Sequence, residues 1–309
     1  TPVITGTADS SDSLTVTVDG VTYSEGDGNL VDNGDNTWSL TIPAGNEISP
    51  DGTYDVTATA TDTAGNTATD TTSGELTIDT VAPTVPTVVS QTTNDTTPLI
   101  TGTADSSDSL TVTVDGVTYS EGDGNLVDNG DNTWSLTIPV GNEISPDGTY
   151  DVTATATDTA GNTATDTTSG ELIIDTVAPT VPTVVSQTTN DTTPLITGTA
   201  DSSDSLTVTV DGVTYSEGDG NLVDNGDNTW SLTIPAGNEI SPDGTYDVTA
   251  TATDTAGNTA TDTTSGELII DTVAPTVPTV VSQTTNDTTP VITGTADSSD
   301  SLTVTVDGV

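Results

Sequence analysis
The sequence has no Lys, Arg, His, Cys, Met or Phe. Without Lys, Arg or His there is no cationic side chain, so no side-chain salt bridge can form. Nothing can neutralise a phosphate either, which makes nucleic acid and anionic membrane improbable partners. Without Cys there are no disulfides, and without Lys there are no Lys-based isopeptide bonds. Without His, Cys and Lys the usual catalytic bases and nucleophiles are missing, and no Ser–His–Asp triad can be built. A carboxylate dyad is the one hydrolytic device still available, but near-identical copies of one unit are a poor setting for a catalytic site. We therefore expect no enzyme. No apolar run is long enough to span a membrane. With no Met and no leader-like segment, Thr1 is not expected to be a natural start.

What is present is acid. The 309 residues carry 48 Asp plus Glu and a formal net charge of −48. At physiological ionic strength screening acts over about 8 Å, so carboxylates gathered in one loop still repel. Either they spread over the surface or cations neutralise them. Leu, Ile and Val make up only 20 of the 96 residues from 81 to 176. That is close to the level at which charge predicts disorder, but regular strand patterning argues for folded domains with thin cores.

The pattern repeats. The stretch Thr-Pro-Val-Ile-Thr-Gly-Thr-Ala-Asp-Ser begins at Thr1, and near-copies begin at Thr97, Thr193 and Thr289. The period is thus 96 residues. Boundaries at the Val-Ala-Pro links give a repeat 1–80 that lacks its opening 16 residues, whole repeats 81–176 and 177–272, and a partial repeat 273–309. A slice out of register suggests a window from a longer array.

Repeat 81–176 reads as about seven short strands. Thr87–Ser90 follows the extended Pro83–Pro86 segment as an edge strand. Leu99–Thr103 comes next, then the period-two run Ser109–Val114. Asp115-Gly116 joins that run to Val117–Tyr119 as a tight hairpin. Trp134–Ile138, Tyr150–Thr157 and Glu171–Ile174 complete the set. The Gly-rich acidic stretches Glu121–Asn125 and Asp128–Asn132 are better read as hairpin turns than as parts of an EF-hand. Seven strands with turn signals and no helical periodicity predict an all-β fold: tandem immunoglobulin-like Greek-key β-sandwiches in an extended linear array. Trp134 is assigned to the core, and Tyr150 to the corner position at the start of the penultimate strand.

A Greek-key path puts Asp105, Asp108, Asp158 and Asn162 at the pole where the chain enters the repeat, and the terminal Asp at the opposite pole. Stacking then gathers oxygen ligands at each junction, and hard cations such as Ca2+ take six to eight of them. The candidates are Asp79, Asp105, Asp108, Asp158 and Asn162 at the first junction. They are Asp175, Asp201, Asp204, Asp254 and Asn258 at the second, and Asp271, Asp297 and Asp300 at the third. Asp and Asn in turns also serve their own backbone, so the spacing alone does not decide.

The runs Thr-Ala-Thr-Asp-Thr-Ala-Gly-Asn, Ile-Asp-Thr-Val-Ala-Pro, Thr-Pro-Leu-Ile-Thr-Gly-Thr-Ala and Asp-Asn-Gly-Asp-Asn-Thr-Trp resemble the tandem bacterial Ig-like extender repeats of giant secreted RTX and biofilm-associated adhesins. That resemblance implies an extracellular, cell-surface location, export by a type I system, and an extender held between an anchor and a distal adhesive tip. It also implies calcium-stiffened links, with neighbouring repeats of the same chain as the partners. Two other roles stay open. One is a self-assembling fibre or surface-layer subunit with lateral or end-to-end self-association. The other is ice or crystal-surface binding through Thr faces such as Thr153, Thr155 and Thr157.

Overall fold
The computed structural model describes residues 3–307, all of whose regular structure is β-strand. The chain divides into two compact units, Thr1–Gln91 with Thr96–Ile173, and Thr92–Asp95 with Ile174–Val309. Repeat 81–176 is thus split, its Thr92–Asp95 turn grouping with the repeat that follows.

Repeat 177–272 shows the architecture in full. One antiparallel sheet orders Thr183–Val184, Leu195–Thr199, Thr229–Thr233 and Leu222–Asp224. The other orders Val213–Ser216, Ser205–Val210, Val248–Thr253 and Thr259–Thr261. A three-stranded extension sets Gln187–Thr189 parallel to Leu268–Ile270, which runs antiparallel to Gly244–Tyr246. Period-two alternation explains the core. Leu206, Val208 and Val210 point inward and are buried, while Thr207 and Thr209 lie on the other face. Trp230, Leu232, Ile234 and Ile240 pack against them with Leu268 and Ile270. The expected hairpin is present, since Asp211 (φ 49°) and Gly212 (φ 76°) both have the positive φ of a type I′ turn.

The core tryptophan needs a glycine opposite it. Gly198 pairs with Trp230 across the sheet. A Cβ at Gly198 would lie 2.5 Å from Trp230 Cζ2 and 1.9 Å from the Thr183 carbonyl oxygen. The indole and the edge strand therefore both use the space a side chain would fill. Trp134 and Gly102 repeat the arrangement, and Trp134 is buried as the sequence suggested. The Tyr150 and Tyr246 hydroxyls donate to the Pro146 and Pro242 carbonyls, which is the corner geometry.

The strand list is longer than the seven expected. Gln91–Thr93, Leu126–Asp128 and Thr163–Thr165 are additional short strands, and the run from Tyr150 to Thr157 is broken at Asp151. The third repeat shows why. Gly244–Tyr246 pairs with the last strand and Val248–Thr253 with the central one, so the chain changes partners at Asp247. The Asp247 carboxylate accepts the Gly266 amide at 2.7 Å, and the Val248 amide donates to Glu267 Oε2 at 3.0 Å. A carboxylate thus caps a backbone donor at the break, where a buried amide would otherwise be costly.

Residues 3–80 form the same strands without counterparts of Thr183–Val184 and Gln187–Thr189. One sheet is reduced to Val3–Thr7, Thr37–Thr41 and Leu30–Asp32, and Gly52–Tyr54 pairs with Leu76–Ile78 alone. A cavity of about 490 Å³ opens between the sheets, lined by Ile4, Gly6, Leu14, Trp38, Ala58 and Ala60 among others. In 273–307 the regular structure is the pair Thr279–Val280 with Gly294–Thr295, and the residues are exposed.

Candidate repeat junction and cation site
The loop Asp254-Thr-Ala-Gly-Asn258 is built by its own first residue. Asp254 Oδ1 accepts the amides of Ala256 and Asn258, each at 2.9 Å. The Asp254 amide donates to the Asn258 carbonyl at 3.0 Å, which closes the hairpin. The Asn258 side chain then reaches out of its loop. Its Nδ2 donates to Asp254 Oδ2 at 2.9 Å and to the Asp175 carbonyl, 83 residues earlier, at 2.8 Å. The Asn94 amide donates to the Ala256 carbonyl at 3.0 Å.

The earlier copy does likewise. Asp158 Oδ1 accepts the Ala160 and Asn162 amides. Asn162 Nδ2 donates to Asp158 Oδ2 at 2.8 Å and to the Asp79 carbonyl at 3.1 Å.

The structure thus brings Asp175 to Asp254 and Asn258, and Asp79 to Asp158 and Asn162. It does so through the link carbonyls. The link carboxylates turn onto their own backbone: Asp79, Asp175 and Asp271 accept the amides of Val81, Val177 and Val273, each at 3.0 Å. Asp105, Asp201 and Asp297 each accept the amide and hydroxyl of the Ser two residues on. The Asp300 amide donates to the Asp297 carbonyl at 3.3 Å. Among the described residues, no three acidic side chains form a group that could hold a metal ion.

Electrostatics separates these acids into two kinds. The Asn258 side chain, followed by the loop amides, holds Asp254 below the ordinary carboxylate range, and Asn162 does the same for Asp158. Asp105, Asp201 and Asp297 are lowered by their Ser amide and hydroxyl. Asp204 is pushed up, first by burial, then by the charges of Asp201 and Asp254. Asp108 is raised for the same reasons beside Asp105 and Asp158. Asp204 is thus a half-buried carboxylate whose neighbouring charges share its sign, in a chain with no cationic side chain, although Asp201, Asp204 and Asp254 are not gathered closely enough to form a metal-holding group among the described residues. The donor set, all carboxylate and carbonyl oxygen, is of the right chemical kind for a hard cation.

The acidic stretches at 121–132 are turns. Asp123 accepts the amides of Ser120, Asn125 and Leu126, and Asp128 those of Gly130 and the Ser106 hydroxyl. Two contributors were not visible in the sequence. Asn94 acts through its backbone, which no side-chain pattern reports. Glu267 is 2% exposed although it opens an ordinary acidic-then-apolar run.

Three successive stretches, residues 1–80, 87–176 and 183–272, match the model of the bacterial Ig-like domain. The chain belongs to that family, as tandem copies of an all-β sandwich. Comparison with the curated proteins gives no match. Among solved structures, the chain is similar to one bearing on host cell surface retention of a 1.5-MDa bacterial ice-binding adhesin. That likeness has 24% identity, covers 87% of this chain and 91% of that one, and has a TM-score of 0.36. It is also similar to titin domains A168–A170, with 11% identity, 84% and 89% coverage and a TM-score of 0.36. Fibronectin(III)-like modules of Clostridium thermocellum CbhA match at 16% identity, 60% and 93% coverage and a TM-score of 0.33.

Proposed function
We propose that this chain is part of the extender of a large bacterial surface adhesin, a spacer that holds an adhesive domain away from the cell. The observation that carries this reading is repetition: successive copies of one bacterial Ig-like domain, almost identical in sequence, on a 96-residue period. A spacer tolerates changes in copy number, whereas a catalytic chain gains little from them. The location is extracellular, where a surface of acids and hydroxyls without Lys or Arg offers trypsin-like proteases no site.

Calcium stiffens the links in this reading. At the second junction the ion would have to draw together Asp201, Asp204 and Asp254, which form no metal-holding group as they stand, with Asp105, Asp108 and Asp158 the equivalents at the first. The support is that Asp204 and Asp108 are half-buried acids in a chain without a cationic side chain. Binding to the folded form alone stabilises it by RT ln(1 + [L]/Kd). A site of extracellular type, with Kd about 10⁻⁴–10⁻³ M, would contribute roughly 1.5–3 kcal/mol at about 10 mM calcium. The test is a thermal melt of the chain in chelator and in calcium, with wild type and Asp204→Ala. Wild type should gain in melting temperature with calcium, and the variant should lose most of that gain. An identical wild-type melt in both solutions would leave the acids as a solvated surface.

A further inference from the structure
We propose that successive repeats are fastened by a metal-free amide clasp, in which Asn258 works as a hydrogen-bond donor to the preceding repeat and not as a cation ligand. The partner of the Thr255–Asn258 loop is then the exit end of the repeat before it. The clasp rests on the reading of the chain as a repeat array, but not on its calcium sites.

The chemistry of the Asn258 side chain fixes its role. It faces the Asp254 carboxylate at 2.9 Å and the Asp175 carbonyl at 2.8 Å, and both of these are acceptors. Only the NH2 end of the carboxamide can satisfy two acceptors, and both its hydrogens are used. A second bond, from the Asn94 amide to the Ala256 carbonyl at 3.0 Å, runs the opposite way. The junction therefore carries one hydrogen bond in each direction. The surroundings are closed as well: Ala256, Asn258 and Ala260 are 7, 9 and 8% exposed. A buried carboxamide needs its partners.

The first copy of the loop supplies a control within the same molecule. Asn66 makes the same local bond, to Asp62 Oδ2 at 2.8 Å, but Ala64, Asn66 and Ala68 are exposed. In this 309-residue chain a substitution at Asn66 reports on the turn itself, and one at Asn258, as at Asn162, on the turn and the clasp together.

The experiment is calorimetry on the full chain, with Asn258→Asp and Asn66→Asp compared in chelator and in calcium. A carboxylate at 258 has no hydrogen to give and adds a charge beside Asp254. The clasp predicts that in chelator Asn258→Asp lowers the melting temperature of its repeat by about 4–8 °C more than Asn66→Asp does. Asn258→Ala, which adds no charge, should show the same ordering against Asn66→Ala. Equal shifts at the two positions would overturn the clasp. An unchanged chelator melt with an enlarged calcium gain for Asn258→Asp would also overturn it, because an oxygen ligand is improved by that change. The calcium reading fails separately, through the wild-type melts alone.

Discussion

Residues 1–80 and 177–272 have nearly the same sequence wherever both are present, yet their interiors differ. Trp38 is 5% exposed against 1% for Trp230. Ala58 and Ala60 are half-buried, whereas Ala250 and Ala252 are fully enclosed. Glu75 is exposed and Glu267 is not. In the third copy the opening segment of the repeat packs against the core through Val184. In 177–272 the Thr183–Val184 strand closes one sheet edge, and Gln187–Thr189 lies along Leu268–Ile270. Side-chain identity therefore does not set burial here. Sixteen mostly polar residues complete the core that their apolar neighbours need.

The sharpest test of that contrast is the tryptophan. Trp230→Ala should cost roughly 3–5 kcal/mol, the usual range for emptying a closed aromatic site. Trp38→Ala should cost less, because the 490 Å³ opening beside it already removes part of the packing. Calorimetry of the two variants checks the order. Equal losses would mean that the opening segment contributes no packing to the core.

Gly198→Ala should come next, at about 1–3 kcal/mol for overpacking. The new methyl would meet the Thr183 backbone oxygen at 1.9 Å as well as the indole. Backbone cannot step aside as a side-chain end can, so the edge strand should detach. The three atoms nearest a Cβ at Gly6 all belong to the Trp38 side chain, which borders the cavity. The expected signature is faster exchange of the Val185 amide, which donates to the Thr197 carbonyl at 2.8 Å, in Gly198→Ala. Slow exchange at Val185 would show that the strand yields without leaving.

Much of this was legible in the sequence because it is local. Period-two runs such as Ser205–Val210, the Asp211-Gly212 turn and the core role of Trp134 follow from short-range rules. The change of partner at Asp247 was not legible, since either half of an apolar-alternating run reads as one strand. The buried Glu267 escaped because its partner, the Val248 amide, lies 19 residues away. At the junction, the structure brings Asn258 to the link through a carbonyl that every residue possesses. No residue type announces that contact. The link Asp residues were singled out as ligands, but their carboxylates serve the next turn of chain.

The smallest expected effect should not distinguish the two repeats at all. Asp219 accepts the amides of Asn221 at 2.7 Å, Leu222 at 3.1 Å and Ser216 at 3.0 Å. Asp27 does the same with Asn29, Leu30 and Ser24 at 2.7, 3.0 and 3.0 Å. These bonds stay within one turn, far from the missing strands. The amides of Asn221 and Leu222 hold Asp219 below its ordinary value, as those of Leu30 and Asn29 hold Asp27. A carboxyl lowered in the folded state binds its proton less readily there than in the unfolded chain. Its stabilisation is therefore present above the unfolded value of about 3.9 and fades as pH falls through the lower folded value. Asp204, raised first by burial and then by Asp201 and Asp254, works in the opposite sense and loses stability as pH climbs from the unfolded value through the folded one. Melts of wild type, Asp219→Ala and Asp27→Ala between pH 7 and pH 2.5 separate the contributions, because relief of the overall charge is common to all three. Each variant should melt below wild type at pH 7 and approach it at the acid end, by the same amount in both repeats. A larger shift for Asp219→Ala would mean that the completeness of a repeat reaches even its hairpin turns.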